Sequence, residues 1–431
     1  MSIEIRNASL LLGRDLTFVK SGFLEIGKNG LIRRVGTGSY HNANHDRNRK
    51  TYDAEGFFII PGFINAHTHI GDSIGKDIGV DSGLDTRVHP VLGAKKLILQ
   101  RTMPEHLKIF MRSSAVSMMK KGIIAFADFR EGGYTGVKLL KDAIFDLPIK
   151  CVILGRAEYY FSHTGKKGWK RGDGKTNKQG EVGDGKKLPS EALQMAADAL
   201  RISDGLGISG ANENTDESLQ QYYELLQISN KKSNKKLLLA IHAAESMSTA
   251  KFSRSKTNKT EVKRIMQYLK PDFIVHMTNV TNNDISLVTK KRTAVIVCPR
   301  ANGILGAGIP KVAKMLKSGC TIGIGTDNVM LNSPDIFREM DYLWKTSRAT
   351  EHEFINAKDI LKMATVNGAE ILGLNSGYIG VRRSADLIFI DKKHIDLCPM
   401  LNPYAAIVHR ASKDSIRAIM INGKFVDEPQ L

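Results

Sequence analysis

Apolar and polar positions follow one rhythm at the two ends of the chain and another in the middle. At the start, IEIRNASLLL and GFLEIG alternate or run apolar, and GKNG reads as a hairpin-type turn. At the finish, SADLIFID and SIRAIMINGKFV are strand-like, with Asn422-Gly423 as a turn. Residues 1–55 and 376–431 are therefore predicted to build one small β-sandwich domain from both termini. The middle alternates. GFFIIPGFINAHTH, GIIAFADF, KCVILGRAEY, LGISGAN, LLLAIHAA, FIVHM, AVIVCP and TIGIGTD read as strands, with helical stretches between them. Thr102-Met103-Pro104-Glu105 reads as a capping box with Pro in the first turn, opening a helix through about Lys120. Thr215 is predicted to cap DESLQQYYELLQ, and Pro310 to open a helix ending near Ser318-Gly319.

Eight β-then-α units over residues 56–375 predict an α/β fold, a closed (β/α)8 TIM barrel. A doubly wound open sheet is the alternative, but no GxGxxG or GxxxxGK[ST] follows the first strand. Residues 162–188, SHTGKKGWKRGDGKTNKQGEVGDGKKL, hold almost no apolar side chains. A long mobile loop is expected there, either a solvated charge run or a lid over an anionic ligand.

Composition narrows the class. With 42% hydrophobic and 25% charged residues the chain reads as an ordinary globular protein. No apolar run approaches the ~18 residues of a membrane span, and MSIEIRNASLLLGRDLTF carries charges unlike a signal peptide. The four cysteines, Cys151, Cys298, Cys320 and Cys398, form no CxxC pair. That argues against a zinc ribbon or disulfide framework and fits a cytoplasmic protein. The net charge of +19 raises a nucleic-acid partner, but no RRM, KH, zinc-finger or helix-turn-helix signature accompanies it, so none is expected.

Histidine placement carries the chemistry. His67 and His69 lie two apart on one strand and face the same side. His242, His276 and Asp327 end three further strands. In a barrel these positions converge on the mouth, and leaving them buried without a partner would cost about 1–3 kcal/mol each. A lone strand-end histidine is commonly a hydrogen-bonded core residue; five such groups on four strands point to a shared metal. Imidazoles with one carboxylate suit zinc or ferrous iron, and the metal would bring a bound water towards a pKa of ~7. Glu245 follows His242 by three residues, so a helical turn would return its carboxylate to the metal as a proton carrier. A helix N-terminal charge is the plainer reading of Glu245.

PGFINAHTHIGD resembles the HxH strand of the amidohydrolase superfamily. His-Ala-Ala-Glu, a strand-end His and the Asp of GTDN follow in the superfamily's order. The likeness covers nearly the whole chain. It is closest to the mononuclear-metal branch, with cytosine, guanine and adenosylhomocysteine deaminases and triazine chlorohydrolases. The resemblance implies His67, His69, His242 and Asp327 as ligands of one divalent ion, zinc ahead of iron. It implies Glu245 as proton shuttle, His276 as the group that polarises the substrate, and Asp327 as holder of the attacking water. Binuclear members carry a lysine on the fourth strand; LGISGANEN has none, and Glu213 is the carboxylate there that would bridge a second ion.

The activity this implies is hydrolytic deamination of a nitrogen heterocycle such as a purine, pyrimidine or pterin. Hydrolysis of another C–N or C–Cl bond is the alternative, and a non-catalytic barrel scaffold is the alternative of another class. A small-molecule substrate and no membrane are expected, and the resemblance allows a homo-oligomer. Arg130, Glu131, Arg300 and Asn302 are candidate substrate contacts, because arginine clamps carboxylate or phosphate with paired hydrogen bonds. For Arg130 and Arg300 the other reading is a structural ion pair with Glu131 or another rim acid. His89 lines the entrance or sits on the surface, and Cys298 reads as packing.

Overall fold

The computed structural model describes residues 2–38, 49–161, 181–183 and 185–427. Most of the Gly- and Lys-rich stretch predicted as a loop, residues 162–180, lies outside the described residues.

Nine parallel strands form the central sheet. In chain order they are Phe63–His69, Ile123–Arg130, Lys150–Gly155, Gly205–Gly210, Leu238–Ala243, Phe273–His276, Ala294–Val297, Ile322–Ile324 and the short Asp327–Asn328. Ile322–Ile324 lies beside the seventh strand, and Asp327–Asn328 pairs with the first. Only Gly325 and Thr326 separate these two pieces. Gly325 N–H donates to the Val297 carbonyl at 2.9 Å and Thr326 N–H to the His67 carbonyl at 3.0 Å. One broken eighth strand thus touches both edges and closes the sheet into a (β/α)8 barrel. The strands are apolar on both faces, as a parallel sheet under a ring of helices requires, and every residue of Phe63–His69 and Ile123–Arg130 is buried.

The terminal segments form a second sheet of eight strands with its own apolar core, including Ile5, Leu24, Ile59, Phe389 and Met420. GFFIIPGFINAHTH, read as one strand, is two. Phe57–Pro61 pairs with Leu387–Asp391 in the terminal sheet, and the chain crosses to the barrel at Gly62. A Cβ there would lie 2.4 Å from the Ile124 side chain, so only glycine permits the crossing. Lys150, at the start of the third barrel strand, pairs with Asp386 of the terminal sheet and ties the two together.

The predicted helix from Thr102 runs Pro104–Met119, but Thr102 does not cap it. Its hydroxyl donates at 2.7 Å to the Ile98 carbonyl and closes the preceding helix, Ala94–Arg101, instead. Thr215 does cap Asp216–Lys232, in a reciprocal capping box with Ser218. The helix after Pro310 is short, Val312–Lys317. No helix among the described residues is long and apolar enough to cross a membrane.

Candidate metal centre and active site

The C-terminal ends of the strands deliver the predicted groups to one place. His67, His69 and His242 bring their ring nitrogens within 4.8 Å of one another, and Glu245, His276 and Asp327 form a second group of the same tightness. His67 Nε2 stands 3.3 Å from Asp327 Oδ1, which joins the two groups. His69, His242, Glu245, His276 and Asp327 all line one cavity of about 260 Å³, close to the lower end of small-molecule sites.

Hydrogen bonding fixes which nitrogens are bare. His242 Nδ1 lies 3.0 Å from the Ile208 carbonyl and His69 Nδ1 lies 3.2 Å from the Phe129 carbonyl. A carbonyl only accepts, so both Nδ1 atoms carry the proton. The Nε2 lone pairs of His69 and His242 then face each other at 3.3 Å with no proton between them. Burial lowers the imidazoles of His67, His69 and His242, His242 to well below the ordinary histidine range and His69 to about 3. Burial opposes ionisation of Asp327, but its hydrogen bond to His67 and the neighbouring imidazoles outweigh this and keep the carboxylate charged. Neutral imidazoles of His69 and His242 with facing Nε2 lone pairs, beside a carboxylate, are what a divalent cation requires, so these residues fit a metal.

Groups behind the candidate ligands hold them in place. Glu131 accepts from His69 Nδ1 at 3.0 Å, and Lys95 Nζ lies 2.6 Å from the same oxygen. Burial works against the Glu131 charge, but Lys95 and His69 keep its carboxyl well below the usual range. Asn65, on the HxH strand, donates to Thr326 Oγ1 at 2.7 Å and accepts from Thr326 N–H at 3.0 Å, just before Asp327. Asp72 accepts from Asn328 Nδ2 at 2.7 Å and from Met330 N–H at 3.0 Å, just after it.

Glu245 does not arrive by a helical turn. Ala244 sits in the left-handed region at φ 53°, and the following helix begins only at Met247. Three bonds hold this unfavourable turn. Ala244 N–H donates to Glu261 at 3.0 Å, and its carbonyl accepts from Asn279 N–H at 2.8 Å. Asn279 Nδ2 also donates to the Glu245 carbonyl at 2.9 Å. His276 and Asp327 are likewise left-handed, at φ 79° and 60°. Such conformations cost of order 1–3 kcal/mol each and persist where surrounding bonds enforce them. The Glu245 carboxylate ends 3.6 Å from His276 Nε2, and burial raises its pKa above the ordinary range. Asn302 Nδ2 lies 3.3 Å from His276 Nδ1, on the far side of that ring from the cavity.

None of the four candidate substrate contacts lines this cavity. Arg130 points back beneath the loop after the first strand, its Nε donating to the Glu131 carbonyl at 3.0 Å and its Nη1 lying 3.6 Å from Met111 Sδ. Arg130 and Glu131 border an adjoining cavity instead. Arg300 faces Glu339 at 3.4 Å and the Ser333 carbonyl at 3.3 Å. Asn302 is fully buried behind His276. His89 does line the main cavity, and its Nδ1 accepts from Val91 and Leu92 N–H at 3.2 Å each. Glu213 also lines it but belongs to neither ligand group, and Cys298 is buried under Gly325. Lys95, Asp72, Asn279 and Glu261 were not singled out from the sequence. Asp72 and Asn279 are polar residues shortly after strand ends, a signal too common to select them, and Lys95 and Glu261 lie on the helices Ala94–Arg101 and Glu261–Tyr268, where nothing in the sequence marks them as facing the site.

Comparison with known proteins agrees with this geometry. The family model described as Amidohydrolase family matches residues 58–426. A protein of Methanothermobacter thermautotrophicus, described as an aminohydrolase, is 32% identical over 98% of this chain and 99% of its own. A 5-methylthioadenosine/S-adenosylhomocysteine deaminase of Acetivibrio thermocellus is 28% identical over 99% of this chain and 94% of its own. Among solved structures, an adenosine deaminase from Xanthomonas campestris with bound zinc shares the fold, with a TM-score of 0.80 at 18% identity. That match covers 98% of this chain and 92% of the other. With the family model matched over most of its length, the chain belongs to the amidohydrolase family.

Proposed function

We propose that this protein is a metal-dependent hydrolytic deaminase of a nitrogen heterocycle, and that purine nucleosides are its substrate class. The observation that carries the reading is the placement of Glu245, held by Ala244 and Asn279 beside His276 on the cavity wall. The deaminase relatives support the choice of reaction and of base.

His67, His69, His242 and Asp327 would hold one divalent ion, zinc before iron. When bound, the ion supplies Lewis acidity that brings the pKa of a coordinated water to about 7. Asp327, kept ionised, accepts a hydrogen bond from the attacking water and orients it. Glu245 takes one proton from that water and gives it to the ring nitrogen beside the reacting carbon; its raised pKa suits a group that both accepts and donates. Asp327 passes the water's second proton to the exocyclic amino group as its bond to the ring carbon breaks, so that ammonia leaves and the carbon keeps the oxygen as a carbonyl. His276 donates from Nε2 to the charge that develops on the ring, with Asn302 steadying its other nitrogen. The closed wall of barrel strands keeps bulk water from the far side.

The test is ammonia release by zinc-loaded protein from adenosine, 5-methylthioadenosine, guanine and cytosine. Turnover is expected on the purine nucleosides. Full metal occupancy with no ammonia from any of them would overturn the reading.

A further inference from the structure

Lys95 lies in the first turn of the helix Ala94–Arg101, and its side chain is only 8% exposed. Its Nζ lies 2.6 Å from Glu131 Oε1 and 3.8 Å from Asp72 Oδ2. These carboxylates stand behind different candidate ligands. The same Glu131 oxygen accepts from His69 Nδ1 at 3.0 Å. The same Asp72 oxygen accepts from Asn328 Nδ2 at 2.7 Å, next to Asp327. Asp327–Asn328 in turn pairs along Thr68 and His69. A closed ring therefore runs from His69 through Glu131, Lys95, Asp72 and Asn328 back to His69, with one ammonium as its link.

Among the described residues, Lys95 is the one cationic side chain in ion-pair contact with both acids. Arg130 and Arg156 approach only Glu131, each at 3.9 Å. Glu131 Oε2 has no hydrogen-bond partner, so its hold on His69 runs through Oε1, the oxygen that Lys95 shares. Asp72 is fully buried, and burial raises its carboxyl to about 7; Lys95 is the largest influence that lowers it. Two buried acids left without their shared cation would repel each other and lose this geometry. The segment before the helix supplies Val88, His89 and Pro90 to both cavities. The candidate ligands and the end of the cavity wall are thus anchored at one residue.

We propose that Lys95 is a positioning residue for the metal centre, setting His69 and Asp327 relative to each other by joining the carboxylates behind them. The inference rests on the reading of His67, His69, His242 and Asp327 as ligands of one divalent ion. Either carboxylate alone steadies one side of that centre. Joined through Lys95, they fix the separation between the two sides, where His69 Nε2 stands 3.6 Å from Asp327 Oδ1. Ligands held in place ahead of binding lose less freedom on coordination, so the effect of Lys95 is read in metal affinity.

The experiment uses the full chain and its Lys95→Met, Lys95→Gln and Lys95→Arg variants. Each is also made together with Asp72→Asn and Glu131→Gln, which keep the shape of both acids and remove their charge. Zinc affinity is read by chelator competition. The d–d absorption of the cobalt(II)-loaded protein reports ligand geometry, and the melting temperature of the metal-free protein reports the fold. Lys95→Met is expected to weaken zinc binding about 10–100-fold and to shift the cobalt bands, and Lys95→Arg, which keeps the charge, to lose less. In the background of Asp72→Asn with Glu131→Gln, the same Lys95→Met change should cost less than about threefold, because its partners are already neutral. Should Lys95→Met fail to fold, Lys95→Gln carries the same expectations. Zinc affinity and cobalt bands unmoved in these variants overturn the proposal. An undiminished loss in the neutral background overturns it too, by making Lys95 a packing residue of its helix. Wild type that takes up neither zinc nor cobalt defeats the metal reading itself, and the proposal with it.

Discussion

Glu245 and Glu131 are both acids beside the candidate metal ligands, yet their surroundings suit them to different work. Glu245 is reachable from the cavity and sits at an elevated pKa, so it can exchange a proton during turnover. Glu245→Gln keeps the shape and removes the titratable group. It is expected to retain full metal and to lose about 10²–10⁴-fold in kcat, read as ammonia release beside metal analysis. Near-normal turnover would assign the proton transfer elsewhere. Glu131 is walled off from the cavity and fixes His69 from behind. Removing such a partner commonly weakens metal binding about 10–100-fold. Glu131→Ala should therefore show weaker zinc affinity in a chelator competition, with Glu131→Gln in between; unchanged affinity in both would show that His69 needs no support. That His67, His69 and His242 would meet was legible in the sequence because strand ends of a barrel converge. The direction of long side chains was not. Arg130 turns under Gly71, where a Cβ would lie 1.8 Å from its Nη1, and that vacancy exists only once the loop has folded.

Strands and the turns after them explain why the site is placed so closely. The eighth strand breaks at Gly325-Thr326, and Asn65 on the first strand bonds both Thr326 groups, so closing the barrel and aiming Asp327 are one event. A polar residue inside the apolar run FINAHTH was visible as sequence, but its partner 261 positions away was not. The Ala244 turn was illegible for a related reason. Nothing in HAAE favours a left-handed alanine; Glu261 and Asn279, on later elements, enforce it. Thr102 was misread because a hydroxyl can close the helix before it as well as open the one after it. The second strand's end has its own close contact. Gly136, in the helix Gly133–Ile144, would place a Cβ 1.8 Å from the Glu131 carbonyl. Gly136→Ala must push the helix from the strand end and shift Glu131. It should cost about 1–3 kcal/mol of stability in urea unfolding and weaken zinc binding as well. Loss of stability with zinc affinity intact would separate the helix from the metal support.

The molecule carries a net charge of +19, yet its interior concentrates acids whose neutral form the fold prefers. Glu339 is the clearest case outside the two groups gathered at the barrel mouth. It is fully buried on the helix Ile336–Glu351 and accepts from Arg300 N–H at 3.2 Å. Burial raises its carboxyl to about 8 from an ordinary value of 4.5, despite the nearby Arg300 guanidinium. The folded state thus binds more protons than the unfolded state between these values, and there stability falls as pH rises. The contribution is fully present below about pH 4.5, declines steadily above it and is gone beyond about pH 8. Glutamine keeps the acceptor and cannot ionise, so Glu339→Gln should match the wild type in unfolding free energy near pH 5. The variant should become the more stable protein as pH rises, by on the order of a few kcal/mol at pH 9, since one pKa unit corresponds to about 1.4 kcal/mol. The buried histidines have the opposite sign: their lowered values remove stability as pH falls below about 6.5, but they are common to both proteins and cancel in the comparison. Urea titrations of both proteins at pH 5, 7 and 9 measure the difference directly. A gap that stays constant with pH would mean that Arg300 keeps Glu339 ionised in the fold, and that this end of the barrel is held by an ion pair instead of a neutral acid.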